Sequence, residues 1–295
     1  MITRSLLETD NYKHKRYGGK RKSRWTSFER LIWIFGLFLK KTNLYQRGYR
    51  NAKNIVVNEF DIQFANLPEP FHGYKILHLT DMHLDTIEGI EELLCGKIDD
   101  LTYDLCVLTG DYRENIKGGF KSIKGPMEKI ADAIKAKDGI LATLGNHDTY
   151  LMVDFLEDLG IKILANETIS INKENEKIDV TGIDDPHYYF TDQALVALEE
   201  SLDGYKIALV HSPELFDAAA DNGYSLYLCG HTHGGQIALP GGIAPITHLH
   251  NGRKFYRGLW RYSQMVGYTN QGCGTVGIPV RFNTQSEIAL ITLKK

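Results

Sequence analysis

Asp81 and His83, two residues apart, bring a carboxylate and an imidazole within reach of one ion, and the same step recurs at His231 and His233. Between these pairs lie Gly110-Asp111, Gly145-Asn146-His147-Asp148 and a separate His211. Asp111 can bridge two ions through its two oxygens, and the amide oxygen of Asn146 serves a second ion without adding repulsion. A donor set of carboxylates, amide and imidazoles without thiolate suits Mn²⁺, Fe or Zn²⁺ better than Mg²⁺. The chemistry expected of such a set is two-metal hydrolysis at phosphorus, with a metal-activated water attacking in line.

Each segment follows an apolar run of strand length. Tyr74–Thr80 precedes Asp81, Asp104–Thr109 precedes Gly110-Asp111, and Gly139–Leu144 precedes Gly145. Tyr205–Val210 precedes His211, and Tyr224–Cys229 precedes Gly230. Lys177–Gly182 and Glu287–Leu293 read the same way, as strands buried on both faces. On extended backbone, residues two apart point to one side, which is how Asp81 and His83 are expected to share an ion. Helical stretches alternate with these runs at Gly89–Ile98, Pro126–Lys135, Val153–Leu159, Asp192–Leu202 and Pro213–Asn222, with Pro126 and Pro213 at first-turn positions. The alternation predicts a layered α/β protein. Gly234 to Gln285 reads instead as loops and short strands that shape a substrate pocket.

The chain has 295 residues, 43% of them hydrophobic and 24% charged, with a formal net charge of −3. That composition excludes a disordered or polytopic protein. The charge is unevenly placed: residues 1–53 carry 14 Lys/Arg against three acids, and residues 54–295 carry 20 against 34. We expect a basic N-terminal arm, 1–53, and a catalytic domain, 54–295. Within the arm, the apolar run from Leu31 to Leu39 is flanked by Arg24, Arg30, Lys40, Lys41, Arg47 and Arg50. Nine helical residues cover about half of a ~30 Å hydrocarbon core, so the run is read as an interfacial anchor on an anionic cytoplasmic leaflet and not as a span. A cleaved signal peptide and nucleic-acid binding are disfavoured. The four cysteines lack C-x-x-C pairing and are expected to be buried thiols. His72, His78, His187, His248 and His250 are expected to be plain core or surface histidines.

Taken in order, Asp81-x-His83, Gly110-Asp111, Gly145-Asn146-His147-Asp148, His211 and Gly230-His231-x-His233 resemble the calcineurin-like metallophosphoesterase superfamily. The run from Gly230 to Ile237 with Pro240-Gly241, and Gly277-Ile278-Pro279-Val280-Arg281-Phe282-Asn283, are similar to its YkuE-type branch. The resemblance implies a four-layer α/β/β/α sandwich of two mixed sheets. It also implies that Asp81, His83 and His233 bind one ion, that Asn146, His211 and His231 bind the other, and that Asp111 bridges them. By the same analogy His147 stabilises developing charge or protonates the leaving group.

Asp148 is read as an orienter of neighbouring groups or, in preference, as a turn residue that holds its loop. Glu114 stands where phosphoprotein phosphatases carry an Asp that orients the catalytic histidine. Those enzymes have an Arg next, whereas Asn115 follows here, and Arg113 is the arginine assigned to phosphate. The departure makes a phosphoprotein substrate less expected. Because enzymes resembling this branch include pyrophosphatases that split UDP-diacylglucosamine on the lipid A pathway, the leading expectation is a phosphodiester or phosphoanhydride in a lipid-linked substrate. A soluble phosphodiesterase for cyclic nucleotides or other small phosphodiesters is the alternative, and a non-catalytic scaffold the third.

Overall fold

The structure is a computed structural model and describes residues 1–14, 34–200 and 203–295. Twelve named strands form two six-stranded mixed sheets. The first contains β1 (Ile55–Gln63), β2 (Lys75–Leu79), β3 (Leu105–Leu108), β4 (Ile140–Ala142), β5 (Ile161–Ile163) and β12 (Ser286–Lys294), in the order β1-β12-β2-β3-β4-β5. The second contains β6 (Glu167–Lys173), β7 (Glu176–Gly182), β8 (Tyr205–Leu209), β9 (Leu226–Cys229), β10 (Gly258–Tyr262) and β11 (Met265–Thr269), in the order β10-β11-β9-β8-β7-β6.

Period-two alternation sorts the strand residues into three cores. Ile76, Leu105 and Val107 of the first sheet meet Val180, Ile207, Leu209 and Leu228 of the second between the sheets. Their neighbours Leu77, Cys106 and Leu108 face outward onto α3 (Ile90–Ile98), α4 (Lys121–Ala133) and α5 (Val153–Asp158). On the far side Ala208, Tyr227 and Cys229 pack on α6 (Asp192–Glu199) and α7 (Phe216–Asp221). These are the four expected layers, and burial on both faces explains why the strands read as unbroken apolar runs.

Pro126 is not a first-turn residue: α4 begins at Lys121 and carries Pro126 inside it. The proline forgoes one helix bond on a half-exposed face, which an amphipathic helix held by Ile123, Met127 and Ile130 tolerates. The expected helix from Asp192 closes at Glu199, and its last two expected residues, 201 and 202, lie outside the described residues. All four cysteines are free, and Cys106, Cys229 and Cys273 are buried.

Among the described residues, α1 (Ile2–His14), a helical segment over 34–41 and α2 (Leu44–Lys53) precede β1. On α2, Ala52 joins the helix-side core of the first sheet, and Gly48 lies so close to Val280 and Phe282 that a Cβ would come within 2.7 Å of them. Of the apolar run, residues 31–33 lie outside the described residues. Residues 34–41 are helical, with Leu39 buried and Ile34, Phe35, Leu37 and Phe38 exposed. Among the described residues no helix is long and apolar enough to cross a membrane.

Candidate metal centre

The expected segments leave the ends of β2, β3, β4, β8 and β9 and converge where the two sheets meet. The backbone there is not extended: Asp81 has φ 48, His83 φ 38, Asp111 φ 57, His231 φ 72 and His233 φ 51. Asp81 and His83 therefore share a site because β2 stops at Leu79 and the chain coils left-handed, with Asp81 N–H donating to the Gly110 carbonyl and His83 N–H to that of Asp111. Such conformations cost on the order of 1–3 kcal/mol each and persist only where surroundings over-determine them.

Asp148 supplies much of that constraint. Its Oδ2 accepts from Asp111 N and Gly145 N, both at 2.7 Å, and its Oδ1 accepts from Tyr112 N at 2.9 Å. One buried carboxylate thus ties the Asp111 turn to the Asn146 turn, so it holds its loop and orients its neighbours at once. The glycines permit the close approach. A Cβ on Gly110, at φ 95, would lie 2.4 Å from Gly145 N, and one on Gly230 would lie 2.2 Å from Asp81 Oδ2. Gly110→Ala is accordingly expected to destabilise the fold by roughly 1–3 kcal/mol or more through overpacking. A thermal unfolding midpoint equal to that of the parent would contradict this packing.

Hydrogen bonds to carbonyls settle which ring nitrogens face inward. His83 Nδ1–H donates to the Arg113 carbonyl at 2.9 Å and His211 Nδ1–H to the Thr109 carbonyl at 2.7 Å, which leaves both Nε2 atoms toward the centre. His83 Nε2 lies 3.2 Å from His233 Nε2, and His233 Nε2 lies 3.5 Å from Asp81 Oδ1. Among the described residues, that buried carboxylate oxygen has no hydrogen-bond partner. A few ångströms away, Asn146 Oδ1 is 3.0 Å from His211 Nε2 and 2.9 Å from His231 Nδ1. Asp111 Oδ2 stands between the two groups, 3.3 Å from His211 Nε2 and 3.6 Å from His83 Nε2. Buried donor atoms this close fit divalent cations, and Asp81, His83 and His233, like Asp81, Asp111 and His211, gather closely enough to hold one.

The electrostatics agree with that fit. Burial, reinforced by the neighbouring His147, pushes the His83 imidazole down to about 3, so it is neutral at pH 7. Burial likewise drives His231 and His233 well below the usual range. Burial would raise Asp111, but His211 and His147 outweigh it and keep the carboxylate ionised. Burial would lower His211, yet the Asp111 carboxylate outweighs it and holds the imidazole well above the usual range, the same negative charge that would favour a cation there.

His147 faces the same centre with more freedom. Its Nδ1–H donates to the Glu114 carbonyl, its backbone N–H donates to Asp111 Oδ1 at 2.8 Å, and its Nε2 is 4.0 Å from Asp111 Oδ2. Glu114 therefore orients the imidazole through its main chain. Its side chain stays beside the two imidazoles, with Oε1 accepting from Gly277 N at 2.9 Å and Oε2 lying 3.6 Å from His83 Nδ1.

The phosphate contact expected of Arg113 gives way to a different role. Its buried guanidinium donates to the carbonyls of His147, Ile116, Gly118 and Gly119, so it pins the catalytic loops and has its donors committed to main chain. Arg281 does the same for the His233 turn through the carbonyls of His233, Gln271, Gly272 and Gly274. Sequence reading gave it no role, although it sits in the quoted C-terminal motif.

Of the five plain histidines, His78 is a core residue bonded to Thr109 Oγ1 at 2.9 Å, and His72 accepts from Lys295 N at the surface. His187 departs from expectation. Its ring packs 4.6 Å from that of His231 and 4.8 Å from that of His250, and its Nδ1 meets Glu214 Oε2 at 3.0 Å. A lone histidine in the sequence gave no sign of that partnership.

Comparison with known proteins converges on the same centre. The profile of the calcineurin-like phosphoesterases matches residues 74–235. The uncharacterized metallophosphoesterase YkoQ of Bacillus subtilis is 30% identical over 87% of this chain and 95% of its own length. YkuE of the same organism is 30% identical over 83% and 88%. The protein of Escherichia coli named phosphodiesterase YaeI is 25% identical over 75% and 82%. With the profile spanning β2 to β9 and a relative 30% identical over most of both chains, the chain belongs to the calcineurin-like phosphoesterases and is a metal-dependent phosphoester hydrolase.

Proposed function

We propose that the enzyme hydrolyses a phosphodiester or phosphoanhydride in a membrane-associated, lipid-linked substrate. In this reading Asp81, His83 and His233 hold one divalent ion, Asn146, His211 and His231 hold the other, and Asp111 serves both. Mn²⁺, Fe or Zn²⁺ suits these donors. Two such ions, when bound, lower the pKa of a water and offset charge on the phosphoryl oxygens. The chain's own contribution is positional. Asp148 and Arg113 fix the turns that carry the ligands, and His147 presents Nε2 for a proton to the departing oxygen.

The observation that supports a lipid-linked substrate is the apolar face of residues 34–41. Ile34, Phe35, Leu37 and Phe38 are exposed beside Lys40 and Lys41, and buried Gly36 meets Ile278 of the loop that also bonds Gln236, three residues beyond His233. Leu239, Ile243 and Ile246, in the loop after Gln236, are exposed as well. Apolar residues over basic ones suit an anionic bilayer surface, and the cytoplasmic face of the membrane is the proposed location. A nucleotide-diphosphate lipid such as UDP-diacylglucosamine is the leading molecule.

A double substitution, Phe35→Ser with Phe38→Ser, tests this. Each side chain lost from a bilayer contact forfeits roughly 1.5–3 kcal/mol if fully buried there. KM for the lipid substrate in anionic vesicles should therefore rise about tenfold or more, a tenfold step being about 1.4 kcal/mol. Turnover of bis-p-nitrophenyl phosphate in solution should stay at the parent rate. Equal effects on both substrates, or none on either, would remove the membrane argument.

The second reading is a small soluble phosphodiester; a polar cavity of about 390 Å³ lies on the protein but is lined by none of the proposed ligands. Asn51, Asn54, Arg257, Gln271, Asn283, Thr284 and Gln285 line it without an apolar side chain. A panel of cyclic nucleotides and nucleotide-diphosphate lipids, assayed with Mn²⁺, separates the two.

A further inference from the structure

Arg4 belongs by charge count to the solvated basic arm, yet it is 1% exposed. Its guanidinium reaches between the two sheets. Nη1 donates to Asp184 Oδ1 at 2.5 Å, on the loop after β7 of the second sheet. Nη2 donates to the carbonyls of Gly145 at 2.9 Å and Asp148 at 2.8 Å, on the loop after β4 of the first sheet. The guanidinium carbon lies 3.4 Å from the centroid of the Tyr189 ring. One turn further along α1, Glu8 accepts from Arg4 Nε at 2.9 Å, from Thr149 Oγ1 at 2.7 Å and from Tyr150 N at 2.7 Å.

The segment so held, Gly145 to Tyr150, is the one that carries Asn146 and His147. Asp184 begins the Asp184–Tyr189 stretch that carries His187. Residues i and i+4 share a helix face, so Arg4 and Glu8 act together from α1 alone. A planar guanidinium with five donors is the side chain suited to joining a carboxylate and two carbonyls at fixed angles. Burying it without these partners would be strongly unfavourable, so docking of α1 and closure of the loop are one event.

We infer that Arg4, supported by Glu8, is a positioning residue: α1 is a clasp that locks the Asn146–His147 loop to the Asp184 loop from behind the metal centre. The inference rests on the hydrolytic reading above for its kinetic consequence, though not for its effect on metal binding. Arg4 touches neither substrate nor ion in this scheme. It acts by holding the main chain that sets the Asn146 amide and the His147 ring.

The test compares the full-length chain with Arg4→Ala, Arg4→Lys, Glu8→Gln and Leu6→Ala, the last on an exposed position of the same helix. Turnover of bis-p-nitrophenyl phosphate and Mn²⁺ binding by calorimetry are both measured. Partners that orient a ligand typically contribute 10–100-fold to affinity or activity. Arg4→Ala should lose about tenfold or more in kcat with KM within threefold, and should bind its weaker Mn²⁺ less tightly by a similar factor. Arg4→Lys should recover part of both, and Leu6→Ala should match the parent.

Where Arg4→Ala does not give the parent circular-dichroism spectrum, Glu8→Gln carries the test, with a smaller loss in the same two quantities. Parent values of kcat and Mn²⁺ affinity in a folded Arg4→Ala, or in a folded Glu8→Gln, overturn the inference. So does an equal loss in Leu6→Ala, which would mean that any damage to α1 suffices. An inactive parent enzyme would count against the hydrolytic reading, and the Mn²⁺ comparison would still decide the role of Arg4.

Discussion

Asp111→Asn should abolish turnover of every phosphodiester and reduce the bound metal from two ions per chain to one or none. The substitution keeps the shape of the side chain, and its amide oxygen can still accept from His147 N as Oδ1 does now at 2.8 Å. What it removes is charge at Oδ2, the atom 3.3 Å from His211 Nε2 and 3.6 Å from His83 Nε2. An amide offers one acceptor oxygen where two ions require a shared carboxylate, and its NH₂ would point at nitrogens that must stay unprotonated to bind metal. Removing a single preorganised donor from an active site costs roughly 10²–10³ in rate. A residue on which both ions depend should exceed that. The checks are metal content by elemental analysis and kcat on a chromogenic diester. Two retained ions with near-parent turnover would mean that the ions are held elsewhere.

The ligand segments were legible because both of their determinants are local. Central strands covered on two faces are continuous apolar runs, and residue types with metal affinity stand out at their ends. β1, β5 and β6 escaped notice for the complementary reason. β1 and β6 lie at sheet edges with mostly exposed or half-exposed residues, and β5 has three residues. The backbone at the centre departs from the extended geometry expected of a strand end. Extended geometry would align Asp81 with His83, but their positive φ values arise from pairing with Gly110 and Asp111, partners that no local pattern discloses.

Long-range pairing also hid the outer parts of the site. Arg4 meets Asp184 across 180 residues, and Arg281 reaches His233 across 48. To a charge count each is one more exposed cation. Arg113 poses the reverse problem. An arginine beside a metal ligand invites a phosphate contact, but the chain from Ile116 to Gly119 turns its carbonyls onto the guanidinium and takes up its donors.

His147→Gln should lower kcat by about 10²–10⁴ on substrates with poor leaving groups while leaving two ions bound. His147 is outside the two proposed ligand sets, its Nε2 no nearer than 4.0 Å to Asp111 Oδ2, so metal content should match the parent. The Glu114 carbonyl fixes Nδ1 as the donor, and Nε2 is the atom free to exchange a proton near Asp111. The size of the defect should then depend on the departing oxygen. A nitrophenolate leaves without protonation, whereas an alkoxide needs a proton as the bond to phosphorus breaks. Proton delivery by His147 therefore predicts a small loss on bis-p-nitrophenyl phosphate and a large one on an alkyl phosphodiester. If His147 instead stabilises charge on the phosphoryl oxygens, both substrates should suffer alike, because that charge develops whatever group departs. Unchanged kcat on both would exclude His147 from the reaction and leave its bond to Asp111 as a purely structural contact.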